Sequence, residues 1–195
     1  MTTATAVGRQ PSHRRKRGLV GAAVLSVAAL TIWLVVGWDH IVTPDVDDVG
    51  PVDAVFVIGP AETRMPHAMD LMGEAEASLL LSTTSVDPET GQPYPRDYCG
   101  LERAAYRIEC VIPEPYSTTG EARLLGERAE AQGWSRVAVI TSTPHAARTR
   151  LLMERCTDAE VLIWTVDDDW DLGGWAREFA YQSAAWVKTQ VVRGC

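Results

Sequence analysis

This sequence of 195 residues lacks internal repeats, C-x-x-C pairs and acidic residues near its start, and each absence restricts the possible architecture or binding sites. No internal repeat is visible, so the sequence does not indicate a repeat architecture. No two cysteines are spaced as C-x-x-C, which argues against a structural zinc site. The first 38 residues hold five basic residues and no acidic one, whereas the remainder holds 13 basic and 26 acidic residues. This acidic remainder argues against a nucleic-acid surface, and we expect no nucleic-acid partner.

An uncharged segment follows the basic residues. Residues 18–38 read GLVGAAVLSVAALTIWLVVGW, which as a helix would cross the roughly 30 Å hydrocarbon core of a bilayer. Because basic residues stay on the cytoplasmic side, we expect a cytoplasmic tail over 1–17, a transmembrane anchor over 18–38 in the lipid bilayer, and an extracytoplasmic domain. The protein would then be a single-pass protein of the cell membrane. A cleaved signal peptide and a buried core helix are the alternatives.

All four cysteines follow the anchor, where this orientation makes the compartment oxidising and disulfides the default. Four cysteines allow three pairings. We favour Cys99 with Cys110, which closes a short loop, and Cys156 with Cys195, which ties down the C-terminus. Free thiols are the alternative if the domain lies on the other side of the membrane.

The rest of the chain alternates between apolar β runs and helical patterns after a linker over 39–52. The predicted strands are 53–59, 78–82, 106–112, 136–142 and 160–166, and the predicted helices are 64–77, 119–132, 145–155 and 172–188. Consecutive apolar residues suit strands covered on both faces. This order predicts an α/β domain over 53–195, with a mainly parallel five-stranded sheet between two helical layers. Residues 83–105 break the pattern and are expected to form a surface loop.

Polar residues follow the predicted strands and should meet at one edge of a parallel sheet, where such folds bind ligands. The candidate ligand-binding residues are Gly59, Glu62, Arg64, Glu114, Thr119, Ser142 and Arg148. His145 and Glu121 are the candidate catalytic residues, with His145 as acid and Glu121 as base or metal ligand. Thr119 is expected to donate a hydrogen bond through its hydroxyl. No metal site is assigned, and the sequence identifies no cofactor.

The stretch TSTPHAAR predicts an anion site at the start of a helix. Thr143 is expected to cap the helix and Pro144 to occupy its first turn, leaving free N–H groups for a phosphate or carboxylate. His145 and Arg148 lie three residues apart and share a face of that helix. The alternative is an ordinary capped helix with solvated arginines.

Three other motifs have structural alternatives. STTGEAR, residues 117–123, has the pattern of a capping box, in which Ser or Thr and a later Glu cap a helix. The tract DDDWD, residues 167–171, is more typical of a solvated turn than of a cation site. Trp164 and Trp170 are expected to cover the core and the sheet.

The motifs DAVFVIG, STTGEA and VITSTPHAARTR resemble the SanA/YdcF-like family, also called domain of unknown function 218, over about residues 51–165. The resemblance implies a Rossmann-like fold. It also implies a link of membrane-anchored members to the bacterial envelope and to lipid-linked wall precursors. The chain departs from the family pattern at Pro60, at Ser82-Thr83-Thr84, at Thr118 and at Ala122. Loss of glycines at the first two places removes positions where backbone approaches a phosphate closely.

The anchor predicts a membrane-anchored extracytoplasmic protein, and the resemblance implies a role in cell-envelope homeostasis. We expect it to bind an anionic or phosphorylated ligand, such as a phosphorylated lipid-linked cell-wall precursor, at the carboxyl edge of its sheet. Whether it is an enzyme is left open. The alternatives are a non-catalytic binding or scaffolding domain of the envelope, and a nucleotide or S-adenosylmethionine binder if the domain is cytoplasmic.

Overall fold

The computed structural model describes residues 13–87, 89–166, 169–192 and 194–195, with side chains from residue 18 onward. Residues 1–12 of the predicted basic tail and Asp167 and Asp168 of the acidic tract therefore lie outside the described residues. The chain divides into two compact units, with the boundary between Gly37 and Trp38.

The first unit is a single apolar helix, α1 (His13–Gly37). An 18-residue window within residues 18–42 is long and apolar enough to cross a membrane, and none of it is buried by protein. A helix that is apolar all round and has no protein cover is typical of a membrane span. The second unit opens with a short π-helical segment, Trp38–Val42, in which Ile41 is buried.

The described residues of the second unit form a five-stranded sheet and four α-helices. The strands are β1 (Ala54–Val57), β2 (Leu79–Thr83), β3 (Arg107–Val111), β4 (Arg136–Ser142) and β5 (Glu160–Val166). The helices are α2 (Met65–Ala75), α3 (Thr118–Gln132), α4 (Ala146–Glu154) and α5 (Leu172–Val191). Every strand pair is parallel and the order is β3-β2-β1-β4-β5. The predicted α/β class with a parallel five-stranded sheet is confirmed.

Helices on both faces explain why the strands are apolar at consecutive positions. All four residues of β1 are buried. Val55 and Val57 pack on one side of the sheet with Met65 and Met72 of α2, and Phe56 packs on the other with Leu125 and Met153. Burying each such large side chain stabilises the fold by about 1.5–3 kcal/mol. Because both faces of β1 are covered in this way, both are apolar.

Residues 39–52 belong to the second compact unit, although the sequence suggested a linker. The Asp47 carboxylate accepts a hydrogen bond from the N–H of Ile163 on the edge strand β5 (2.7 Å) and pairs with Arg150 (2.6 Å). The backbone N–H of Asp47 donates a hydrogen bond to the carbonyl of Ile163 (3.0 Å). This segment therefore covers the outer edge of the sheet, which would otherwise expose unpaired backbone groups.

Both predicted cysteine pairs are found, with Cα–Cα distances of 5.4 Å for Cys99–Cys110 and 5.0 Å for Cys156–Cys195. The first pair ties the end of the long loop after β2 to β3. Residues 84–106 contain no helix in the part that the structure describes, and they pair only through isolated bridges. The second pair holds the C-terminus against the end of α4.

Candidate functional site

The site lies where the strand order reverses. From β1 the chain builds the sheet outward through β2 and β3, and it then returns to the other side of β1 to add β4 and β5. The loops after β1 and β4 diverge at this point, and ligands of open parallel sheets bind in the crevice between such loops. A cleft of about 590 Å³ occupies this position, lined from the two loops by Gly59, Arg64, Ser142 and His145.

The helices complete the lining of this cleft. Thr118 begins α3, Arg148 belongs to α4, and α5 contributes Glu178, Tyr181 and Gln182. A second cleft of about 290 Å³ shares Gly59, Pro60 and Thr118 with the first, and Glu121 lines it. His145 and Glu121 therefore border adjoining clefts at one edge of the sheet, although they lie far apart in the chain.

Glu121 is buried, with 4% of its surface exposed. Its Oε1 accepts hydrogen bonds from the N–H of Gly59 (2.7 Å) and from the Thr83 hydroxyl (2.8 Å). Ser117 caps α3, accepting a bond from the Gly120 N–H (3.3 Å). The capping box read from the sequence is therefore only half present, because the carboxylate faces the strand ends instead of the cap.

His145 is also buried, with 8% of its surface exposed. Its Nδ1 lies 3.1 Å from the Thr141 hydroxyl, and its Nε2 lies 3.4 Å from the Thr118 hydroxyl. Thr143 does not occupy the expected N-cap position of α4, because Thr143–His145 make a 3-10 turn and α4 begins only at Ala146. The turn rotates the imidazole toward β4 and α3, so that hydroxyl groups hold both ring nitrogens.

Two arginines line the same cleft. Arg64 is 5% exposed, and its Nη1 donates to the carbonyls of Ile58 (2.9 Å) and Gly59 (3.3 Å) at the end of β1. Arg148 donates from Nε to the Gln182 side-chain oxygen (3.1 Å). The amide of Gln182 in turn donates to Glu178 (3.3 Å). The hydrogen-bond partner of Arg148 is thus a neutral amide and not a carboxylate. The two arginines therefore give one wall of the cleft a positive charge.

The environment shifts the pKa of three groups. Burial raises the pKa of Glu121, opposed by the hydrogen bonds from Gly59 and Thr83 and by the charges of Arg64 and Arg148. Burial first, and then Arg148 and Arg64, hold the pKa of His145 well below its usual value. Burial also lowers the pKa of Arg148. The imidazole is therefore neutral near pH 7, which suits a base. Burial likewise favours the protonated form of the Glu121 carboxyl. The catalytic roles expected for His145 and Glu121 stay predictions.

Three predicted ligand-binding residues lie outside both clefts. Glu62 accepts a hydrogen bond from Ser85 (2.6 Å) and pairs with Arg96, so it holds the loop after β2. Glu114 is exposed and lines a separate groove with Arg123. Thr119 is half-buried on α3 and is not among the lining residues. The other predicted site residues, Gly59, Arg64, Glu121, Ser142, His145 and Arg148, are brought together.

The sequence interpretation missed the residues that hold or face these groups. The sequence could have indicated Thr83 and Thr118, because both follow predicted strands. Thr83 comes directly after the strand 78–82, and Thr118 lies in the polar stretch after the strand 106–112. Tyr181 and Gln182 could not be indicated in this way, because their position depends on how α5 packs. Trp170, expected as sheet cover, instead lines the cleft, with the guanidinium of Arg177 5.9 Å from the centre of its ring.

The acidic tract after β5 does not form a metal site in the part that can be described. Asp171 caps α5, accepting a hydrogen bond from Gly174 (2.7 Å), and Asp169 lines the cleft. Among the described residues, no group of three or more His, Cys, Asp or Glu side chains is placed to hold a metal ion.

Comparisons of the chain with protein-family models, with curated proteins and with solved structures find no significant match. The function of the site is therefore inferred from its own geometry.

The two pKa shifts predict pH effects of opposite sign on stability. The folded state holds the Glu121 proton above pH 4.5, after the unfolded chain has lost it, so stability falls as pH rises through this window. Below pH 6.5 the unfolded chain binds a proton on His145, whereas the folded state does not, because its His145 pKa is lower. Stability therefore falls as pH falls. In the wild type the two effects oppose each other where the windows overlap.

Removing one group exposes the effect of the other. Between pH 4.5 and 6.5, we expect the free energy of unfolding of Glu121→Gln to increase with pH, by up to about 1.4 kcal/mol per unit. That of His145→Gln should decrease over the same range. The measurement is urea unfolding of the full chain in detergent, followed by tryptophan fluorescence. Slopes of the same sign in the two variants would contradict these pKa directions.

Proposed function

We propose that the protein is anchored in the cell membrane and uses its extracytoplasmic domain to bind a phosphorylated or anionic ligand in the cleft between the ends of β1 and β4. The resemblance noted in the sequence suggests the class of ligand, a phosphorylated lipid-linked precursor of the cell wall. The protein would then serve envelope homeostasis. The proposal rests on the charged cleft, on the apolar N-terminal helix with its basic flank, and on the paired cysteines.

The observation that carries the proposal is the pair of arginines in one cleft. Arg64 and Arg148 come from opposite sides of the strand reversal and line the cleft together. The hydroxyl-bearing residues Thr118 and Ser142 line the same cleft. Two guanidinium groups with nearby hydroxyl donors suit the several oxygens of a phosphate, and partial burial strengthens their hydrogen bonds.

The remaining wall of the cleft indicates what else the ligand carries. Asp169 and Glu178 bring negative charge, and Trp170 and Tyr181 bring aromatic rings. Carboxylates would repel a second anionic group but accept hydrogen bonds from hydroxyls, and aromatic faces pack against rings. A ligand with one phosphate end and a neutral, hydroxylated remainder therefore fits better than a polyanion.

Two features support an extracytoplasmic position for the domain. The apolar helix α1 directly precedes it, and the flanking basic residues favour a cytoplasmic N-terminus. All four cysteines of the chain are paired as disulfides, which form and persist in oxidising compartments. Free nucleotides and S-adenosylmethionine are scarce outside the cytoplasm, so an extracytoplasmic position disfavours them as ligands.

Substitution of Arg148 tests the cleft as the binding site. We expect Arg148→Gln to weaken binding of inorganic phosphate and of a short-chain prenyl phosphate by about 10- to 100-fold, because a charge-assisted hydrogen bond is lost. The measurement is isothermal titration calorimetry on the full chain in lipid nanodiscs. Arg123→Gln removes the same charge from an exposed position on α3 and should bind as the wild type does. Equal affinity of all three proteins would refute the proposal.

A reporter fused after Cys195 tests the orientation. An alkaline phosphatase that is active only after export should be active in this fusion, and a reporter that works only in the cytoplasm should be inactive. The opposite pattern would place the domain in the cytoplasm and favour a nucleotide or S-adenosylmethionine ligand.

A further inference from the structure

Thr118 and His145 form a contact that ligand binding alone does not require. The Thr118 hydroxyl lies 3.4 Å from Nε2 of His145, and both residues line the larger cleft beside Arg64 and Arg148. Hydrogen bonds between a nucleophile and its base are often this long before substrate binds. Three residues on, in the next turn of α3, Glu121 holds the helix against the strand ends.

Thr141 completes the arrangement on the other side of the imidazole. Its hydroxyl is fully buried and lies 3.1 Å from Nδ1 of His145. If Nδ1 carries the single proton of the neutral ring and donates it to Thr141, then Nε2 is left as an acceptor facing Thr118. The three residues then have the relation of nucleophile, base and orienting group.

We propose that Thr118 is a nucleophile that accepts a phosphoryl group from a phosphate monoester bound in this cleft. The inference rests on the proposed function, because it requires the cleft to hold a phosphate. It goes further in naming a covalent step and the residue that performs it.

The step balances as follows. The Thr118 oxygen forms a bond to phosphorus while the bond between phosphorus and the alcohol oxygen of the ester breaks. His145 takes the Thr118 proton on Nε2 and passes it to the departing alcohol. Water then attacks the phosphothreonine, His145 removes a proton from the water, and the Thr118 oxygen leaves and recovers a proton. The products are the free alcohol and inorganic phosphate.

Other features of the cleft favour this step. Thr118 is the first residue of the 15-residue helix α3, where the helix dipole favours developing negative charge on its oxygen. Arg64 and Arg148 are placed to stabilise the phosphoryl oxygens. Among the other hydroxyls, Ser117 is occupied as the helix cap and Thr141 lies behind the imidazole.

The test is phosphorylation of the full chain in detergent by p-nitrophenyl phosphate, an ester with a good leaving group. Release of p-nitrophenol is followed together with the intact mass of samples quenched in acid at successive times. We expect one phosphoryl group per chain, mapped by peptide analysis to Thr118. Thr118→Ala should release p-nitrophenol about 100-fold more slowly and show no adduct, and Thr118→Ser should retain both. His145→Gln should slow release by a similar factor.

Thr119→Ala decides between the two adjacent hydroxyls, since Thr119 lines neither cleft. An adduct that is lost in Thr119→Ala but kept in Thr118→Ala would overturn the assignment, as would release by the wild type without an adduct at any time. A cooperative urea unfolding transition of Thr118→Ala, with a midpoint close to that of the wild type, shows that this variant is folded. A wild type that binds phosphate but is not phosphorylated overturns this inference alone. A wild type that does not bind phosphate overturns the proposed function as well.

Discussion

The arrangement of the site depends on one buried carboxylate. Oε1 of Glu121 accepts hydrogen bonds from the backbone of Gly59 beyond β1 and from the hydroxyl of Thr83 at the end of β2. A carboxyl group this deeply buried would be destabilising without such hydrogen-bond partners. The two bonds therefore fix the first turn of α3 against the sheet, and that turn places Thr118 beside the imidazole of His145.

Most of the fold was predictable because its physical cause is local or topological. Strands such as Ala54–Val57 are covered on both faces, so their sequence is apolar without alternation. Strands that alternate with helices must run parallel, which brings the residues after β1 and β4 to one edge. This is why Arg64, Ser142 and His145 lie together in the lining of one cleft. The strand order was not predictable from the pattern, since several orders satisfy the same alternation.

The parts of the site that were not predicted depend on side-chain packing. Glu121 occupies a position that is typical of a helix cap, and only the fold reveals that its side chain faces inward toward Gly59. The 3-10 turn Thr143–His145 delays the start of α4, which spacing alone does not indicate. Glu62 follows β1 and was expected to bind ligand, and its contacts with Ser85 and Arg96 of the next loop could not be read from the sequence. Gln182 lies on a helix from the far end of the chain.

These relations connect the sheet to the proposed chemistry. The strand reversal creates the cleft, and Arg64 and Arg148 give it a cationic wall. Burial and these two charges keep His145 neutral near pH 7, and burial favours the protonated form of Glu121. The central claim is that an anion binds between Arg64 and Arg148. The most direct measurement is a crystal structure soaked with tungstate, a heavy phosphate analogue located by its anomalous signal. The account predicts tungstate within hydrogen-bond distance of both guanidinium groups. Tungstate bound only elsewhere, or not at all, would contradict it.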